Sequence, residues 1–253
     1  MSPEAGNDNY ATPDNLLARI AIHRYATNPD WMRWLFDRET PRGPGPARIL
    51  DVGCGPATLW TENRERIDPA WELTLADSSA GMAEAAQQSL GDRASYVVGD
   101  VQELPFADGS FDIVLANHML YHVQDRPRAF GEIARVLRPD GRFHCSTNGR
   151  GHLAQLAALS PEPMNIATFG EEFGLETGPA QLERFFTEVK VERFDNSLRV
   201  PSAEPVLAYI ASSERFRTGT DLNAVRERVE AEIRRTGAFV IDTHPGLISC
   251  RRH

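Results

Sequence analysis

The stretch Ala47-Arg-Ile-Leu-Asp-Val-Gly-Cys-Gly-Pro-Ala57 limits the possible folds of this chain more than any other. An apolar run ends at the acidic Asp51 and breaks into Gly53-Cys54-Gly55 ahead of a helix start. That is how a buried parallel strand turns into backbone able to touch a ligand. Glycine lets the main chain approach where a Cβ collides, and the helix N-terminus adds free N–H groups and partial positive charge. A dinucleotide-binding turn carries a third small residue that seats the helix against the strand. Here that position is Thr58. Asp51 in front of the first glycine sets like charge toward a pyrophosphate, and suits instead a ligand with an amino or sulfonium group.

Four later segments extend the pattern. Trp71-Glu-Leu-Thr-Leu-Ala-Asp77 reads as a second strand ending in a carboxylate, a position from which both ribose hydroxyls can be bound. Ser95-Tyr-Val-Val-Gly-Asp-Val101 reads as a third strand followed by the polar-apolar pair Asp100-Val101, suited to the edge and face of adenine. Ser110-Phe-Asp-Ile-Val-Leu-Ala-Asn117 is a fourth strand opening into Asn117-His-Met-Leu-Tyr-His122, and Ala134-Arg-Val-Leu-Arg-Pro-Asp-Gly-Arg-Phe143 is a helix end, a turn and a fifth strand.

In this order the segments resemble the class I S-adenosylmethionine-dependent methyltransferases, most nearly the small-molecule branch similar to ubiquinone-biosynthesis C-methyltransferases. The resemblance is clear from Ala47 to Ser146 and weaker beyond. It implies an α/β fold: a Rossmann-like, seven-stranded, mostly parallel sheet with an antiparallel last strand, helices on both faces and a helical cap. It implies that Asp51, Gly53 and Gly55 line the methionine portion of S-adenosylmethionine. Asp77 would hold the ribose, Ser78, Asp100 and Val101 the adenine, and the Asn117 carbonyl would approach the amino group. Tyr25, with His23 beside it, is comparable to lid aromatics that close over the cofactor, where a ring near a sulfonium makes a cation–π contact. Packing of Tyr25 and Trp31 onto the core is the plainer alternative.

Other roles stay open on the residues themselves. Asp77 can cap the next helix, Asp100 can be a turn residue, and His122 is expected to pack under its loop. His118 and Tyr121, just past the fourth strand, are the candidates for a base or an acceptor contact, on position alone. His118 and His122 share a metal-pair spacing, but no third ligand is evident and no metal is expected. Gly53 is read as a position where any side chain blocks the ligand. Met164, Phe169, Phe173 and Phe185 form either an apolar substrate wall or a small core of their own.

Composition is compatible with one core and its decorations: 253 residues, 41% hydrophobic. A formal charge of −9 argues against a nucleic-acid substrate. Three cysteines without metal spacing suit a reducing, cytoplasmic setting, and no run is long and apolar enough to span a membrane. The acceptor is therefore expected to be a small molecule, and the protein a monomer or homodimer. Pro41 to Pro46 is the clearest linker, dividing an N-terminal tail and cap (1–43) from a methyltransferase domain (44–253) with helical insertions near 151–186 and 201–236. Leu16, Leu17 and Ile20 suggest one cap helix; Trp31, Trp34 and Leu35 share a face of a second. Helices are expected at 153–159, at 181–186, around 207–210 and at 221–236, the last with Leu222, Val225, Val229 and Ile233 inward and Gly237 as its stop. Strands are expected at 188–192 and 246–251. Two other readings stand beside the transferase: a nicotinamide-dependent oxidoreductase, and a protein that binds the cofactor without transferring methyl.

Overall fold

The computed structural model describes residues 21–159, 172–212 and 219–253. Leu16, Leu17, Ile20, Met164 and Phe169 lie outside them. In chain order the helices are α1 (Trp31–Glu39), α2 (Thr58–Glu62), α3 (Ala80–Leu90), α4 (Arg126–Val136), α5 (Ala154–Ala157), α6 (Gly178–Leu182), α7 (Ala203–Ala211) and α8 (Leu222–Thr236). The strands are β1 (Ala47–Val52), β2 (Trp71–Asp77), β3 (Ser95–Val98), β4 (Phe111–Asn117), β5 (Leu137–Asn148), β6 (Phe186–Arg193), β7 (Asn196–Val200), β8 (Phe239–Thr243) and β9 (Pro245–Arg252). They fall into two compact units. The larger comprises 30–150, 172–194 and 245–253; the smaller comprises 21–29, 151–159, 195–212 and 219–244.

The larger unit is built on a seven-stranded sheet of order β3-β2-β1-β4-β5-β9-β6. β1 to β5 pair in parallel, and β9 runs antiparallel between β5 and β6. This is the sheet expected from the sequence. Successive side chains of a strand point to opposite faces, so β1 serves two cores at once. Leu50 and Val52 pack with Phe130 and Ile133 of α4; Ile49 packs with Leu35 and Phe36 of α1, Trp60 of α2 and Leu90 of α3. A strand buried on both faces needs a near-continuous apolar run, which places the one carboxylate, Asp51, in the interior.

Local chemistry sets the helix starts. The Ser79 hydroxyl accepts from Met82 N at the head of α3, and the Asp125 carboxylate from Arg128 N at the head of α4. The Pro139-Asp140-Gly141 turn lies inside β5. Asp140 has φ +61°, and the pairing with β4 jumps from Phe111–Leu137 to Ile113–Arg142.

The smaller unit pairs β7 with β8 in antiparallel fashion and buries Leu156, Leu198, Val206, Val229 and Ile241. Neither strand was expected; each is only five residues long. Of the cap, Ile22–Tyr25 forms a 3₁₀ turn of the smaller unit and Ala26 bridges to Leu198, while α1 belongs to the larger unit.

Two expected details differ. The helix expected over 181–186 is α6, started early by Pro179 in its first turn, and Phe186 instead opens β6 as a buried core residue. Leu222 is 38% exposed and not inward, because it is the first residue of α8, whose apolar stripe starts at Val225. Phe173 is fully buried among Phe130, Leu182 and Phe186, and Phe185 packs against them, so both belong to the core of the larger unit.

Candidate cofactor and active site

β1 to β4 pair in parallel, so their carboxyl ends lie along one edge of the sheet. At the end of β1, Asp51 is 3% exposed, and Trp60 Nε1 donates to its Oδ2 at 2.8 Å. Burial pushes the Asp51 carboxyl up to about 7; the Trp60 hydrogen bond opposes the rise and the charge of Asp77 adds to it. Gly53 and Gly55 have φ of +66° and +53°, which favours glycine at both. The two differ in what surrounds them. A Cβ on Gly53 would sit 2.7 Å from Met119 Cγ and 2.8 Å from Met119 Cβ, whereas one on Gly55 meets nothing within 4 Å. The sequence reading tied Gly53 to a ligand alone; Met119, packed over the turn, requires glycine there as well.

At the end of β2, Asp77 joins two structures. Its Oδ2 accepts from Gly55 N at 2.9 Å and its Oδ1 from Ser79 N at 2.9 Å. The capping of α3 falls to Ser79, and Asp77 ties the glycine turn to β2. Ser78 is exposed. Beyond β3, Asp100 is exposed and forms a turn: its carboxylate accepts from Gln102 N at 2.8 Å and from Gln102 Nε2 at 2.9 Å. Val101 is buried in the core.

At the end of β4, Asn117 Nδ2 donates to Glu39 Oε2 at 3.1 Å. Glu39 is fully buried, and burial raises its pKa well above the ordinary glutamate value; the Asn117 bond opposes this and Asp51 reinforces it. His118 has φ +52°, its N–H donates to Ser146 O at 3.0 Å, and its ring centroid lies 5.8 Å from that of Trp31. Non-glycine residues in the left-handed region concentrate at functional sites. Tyr121 is half-buried, with its ring 4.5 Å from that of His122. His122 is exposed and does not pack under the loop. Leu120, fully buried, takes the inward place in this turn.

Asp51, Gly53, Gly55, Asp77, Ser78, Asp100, Val101, Asn117, His118 and Tyr121 thus all belong to the larger unit. Tyr25 belongs to the smaller one, where its hydroxyl accepts from Arg24 Nη2 at 2.7 Å and its ring packs against that unit's core. Sequence reasoning missed Glu39, Trp60 and Met119. For Glu39 a signal was present: it stands four residues after Leu35 and three after Phe36, on the buried stripe of α1.

A mostly parallel sheet with a glycine turn after β1, a carboxylate ending β2 and an antiparallel β9 between β5 and β6 defines a Rossmann-like architecture. A family model described as a methyltransferase domain matches residues 50–145. A malonyl-[acyl-carrier protein] O-methyltransferase of Geobacter sulfurreducens is 32% identical over 188 residues, spanning 70% of this chain and 67% of that protein. A ubiquinone/menaquinone biosynthesis C-methyltransferase of Hahella chejuensis is 33% identical over 134 residues, 51% of each chain. The phosphoethanolamine N-methyltransferase 2 of Haemonchus contortus, solved with S-adenosyl-L-methionine, shares the fold with a TM-score of 0.60 at 19% identity, over 95% of this chain and 57% of that one. The chain belongs to the S-adenosylmethionine-dependent methyltransferases, and S-adenosylmethionine is the family's cofactor. The nicotinamide-dependent oxidoreductase reading has no support among these relatives.

Proposed function

We propose that this protein transfers the methyl group of S-adenosylmethionine to a carbon, nitrogen or oxygen atom of a small molecule in specialised or cofactor metabolism. The observation that carries the reading is Asp77, a carboxylate at the end of β2 held against the glycine turn by Gly55 N. All three acceptor atom types occur among the similar proteins, named as O-, C- and N-methyltransferases. The cofactor supplies an activated sulfonium methyl, so the protein's task is to hold the nucleophile in line, an effect worth about 7–11 kcal/mol in favourable cases.

The residues present suit that cofactor. In the proposal Asp77 accepts the ribose hydroxyls, since a carboxylate has about four acceptor sites and its two amide bonds leave some over. Asp51, Gly53 and Gly55 line the methionine portion. Ser78, Asp100 and Val101 face the adenine, Asn117 meets the amino group through its carbonyl, and Tyr25 is a lid contact. His118 and Tyr121 orient the acceptor or take its proton, with the Trp31 ring supporting His118. Acceptor choice is assigned to the insertions near 151–186 and 201–236.

Calorimetry with S-adenosylhomocysteine tests the cofactor half. The native protein should bind it and not NADH, and Asp77→Ala should weaken binding by about 1–3 kcal/mol. Methyl transfer from labelled cofactor to candidate acceptors tests the chemistry; cofactor uptake with no transfer to any acceptor favours a non-catalytic, cofactor-binding protein. Among the described residues no helix is long and apolar enough to cross a membrane. The proposal includes a cytoplasmic location and a monomer or homodimer, checked by fractionation and sedimentation.

A further inference from the structure

Five buried oxygens near the carboxyl edge of the sheet lack a hydrogen-bond partner among the described residues: Glu39 Oε1, Asp51 Oδ1, Asn117 Oδ1, Ser146 Oγ and Asn148 Oδ1. Glu39, Ser146 and Asp51 are 0%, 1% and 3% exposed. The pairing register brings them to one face. Asp51 lies opposite Leu115 on β4, two residues before Asn117, and Asn117 lies opposite Ser146 on β5. Residues two apart share a face of a strand, and Leu115 packs with the core under α1 and α2. Glu39 reaches that face from α1, bonded to Asn117 and within range of the Asp51 charge.

With the two carboxylates ionised, Glu39 Oε1, Asp51 Oδ1 and Asn117 Oδ1 can only accept, whereas the Ser146 hydroxyl can also donate. Leaving buried acceptors unmet costs about 1–3 kcal/mol apiece, and a leucine at position 39 would avoid the glutamate's share. Among the described residues neither carboxylate forms an ion pair with Lys or Arg; the charge acting on Glu39 is that of Asp51, and the one acting on Asp51 is that of Asp77. What the cluster lacks is a small cation rich in donors. A primary ammonium offers three N–H groups and a positive charge. The described residues contain no group of three or more His, Cys, Asp or Glu arranged to hold a metal ion.

We propose that Glu39 is a cofactor-binding residue, a second buried carboxylate brought by α1 to the α-ammonium of the methionine portion, beside Asp51. This rests on the cofactor reading given above. It extends the site to a helix outside residues 50–145, the segment matched by the family model. Asn117 presents Nδ2 to Glu39 and leaves its Oδ1 in the cluster, while Ser146 Oγ completes the set.

The test compares two probes by calorimetry: S-adenosylhomocysteine and its analogue with hydrogen in place of the α-amino group. Glu39→Gln keeps the size of the side chain and an oxygen for Asn117 Nδ2, and removes the charge. The expected result is at least a tenfold loss of affinity for S-adenosylhomocysteine, with binding of the deamino analogue changed less than twofold. Equal losses for both probes, or no loss for either, overturn the proposal. If Glu39→Gln does not fold, Ser146→Ala decides with the same two probes: a loss confined to S-adenosylhomocysteine supports the cluster, and a uniform or absent effect overturns it. A native protein that binds neither probe refutes the cofactor reading itself, an outcome distinct from either variant's failure.

Discussion

Trp60 Nε1 donates to Asp51 Oδ2 at 2.8 Å, so the helix that follows the glycine turn holds the carboxylate that precedes it. The bond closes a ten-residue loop around Gly53-Cys54-Gly55 and stabilises the charged form of a buried acid. Asp51 is thereby kept ionisable near neutrality, where an unassisted buried carboxyl stays protonated.

Trp60→Phe removes that donor and retains most of the packing. The expected cost is about 1–3 kcal/mol of folding stability. The loss should be larger at pH 8 than at pH 5.5, because the missing hydrogen bond served the ionised acid. Urea denaturation at the two pH values checks this; equal losses would show that the indole N–H does nothing for the carboxylate.

The native protein should lose stability as the pH rises from about 4, the ordinary aspartate value, to about 7. In that window the folded chain keeps a proton on Asp51 that the unfolded chain has released, so ∂ΔG/∂pH is negative, and above about 7 the contribution is flat. Glu39, also raised by burial, adds a slope of the same sign. Asp51→Asn should remove its share of the slope. Below pH 7, uptake of a cationic ligand beside Asp51 should release a proton, measured by calorimetry in two buffers of different ionisation enthalpy.

Gly53→Ala and Gly55→Ala should separate close packing from backbone strain. Both place a Cβ at positive φ, at roughly 1–2 kcal/mol, but only the residue at 53 runs into Met119. Gly53→Ala should therefore be the more destabilising by thermal melting. Adding Met119→Ala should recover part of the difference, giving a coupling of about 0.5–3 kcal/mol. No coupling would mean that the side chain of Met119 beyond Cβ carries none of the clash.

His118→Ala and His118→Gly both delete the imidazole, yet the backbone at φ +52° favours glycine. His118→Gly should be the more stable of the two by about 1 kcal/mol. If the imidazole serves the acceptor, both variants should lose turnover to the same extent with cofactor affinity nearly unchanged. Native turnover in both would remove His118 from the active site.

The candidate cofactor positions could be named along the chain because they follow strand ends, and strand ends are marked locally. Asp51, Asp77, Asp100 and Asn117 each close an apolar run, and glycine marks the turn after β1. Where the reading failed, two distant segments meet. Met119 approaches Gly53 across the gap between β4 and β1, Trp60 reaches back to Asp51, and His122 lies exposed because Leu120 took the inward place. None of these contacts leaves a periodic trace.

Acting alone, the sequence determined the parallel sheet, its antiparallel final strand and the cofactor class, since all three depend on short-range patterns of apolar runs, glycines and terminal acids. Tertiary structure decided the rest: that β7 and β8 pair, that Asp77 bonds to the glycine turn, and that a glutamate of α1 is buried on Asn117. Such contacts depend on which faces meet after packing. Glu39 and Asn117 stand 78 positions apart in the chain, and only packing brings the amide of one onto the carboxyl of the other.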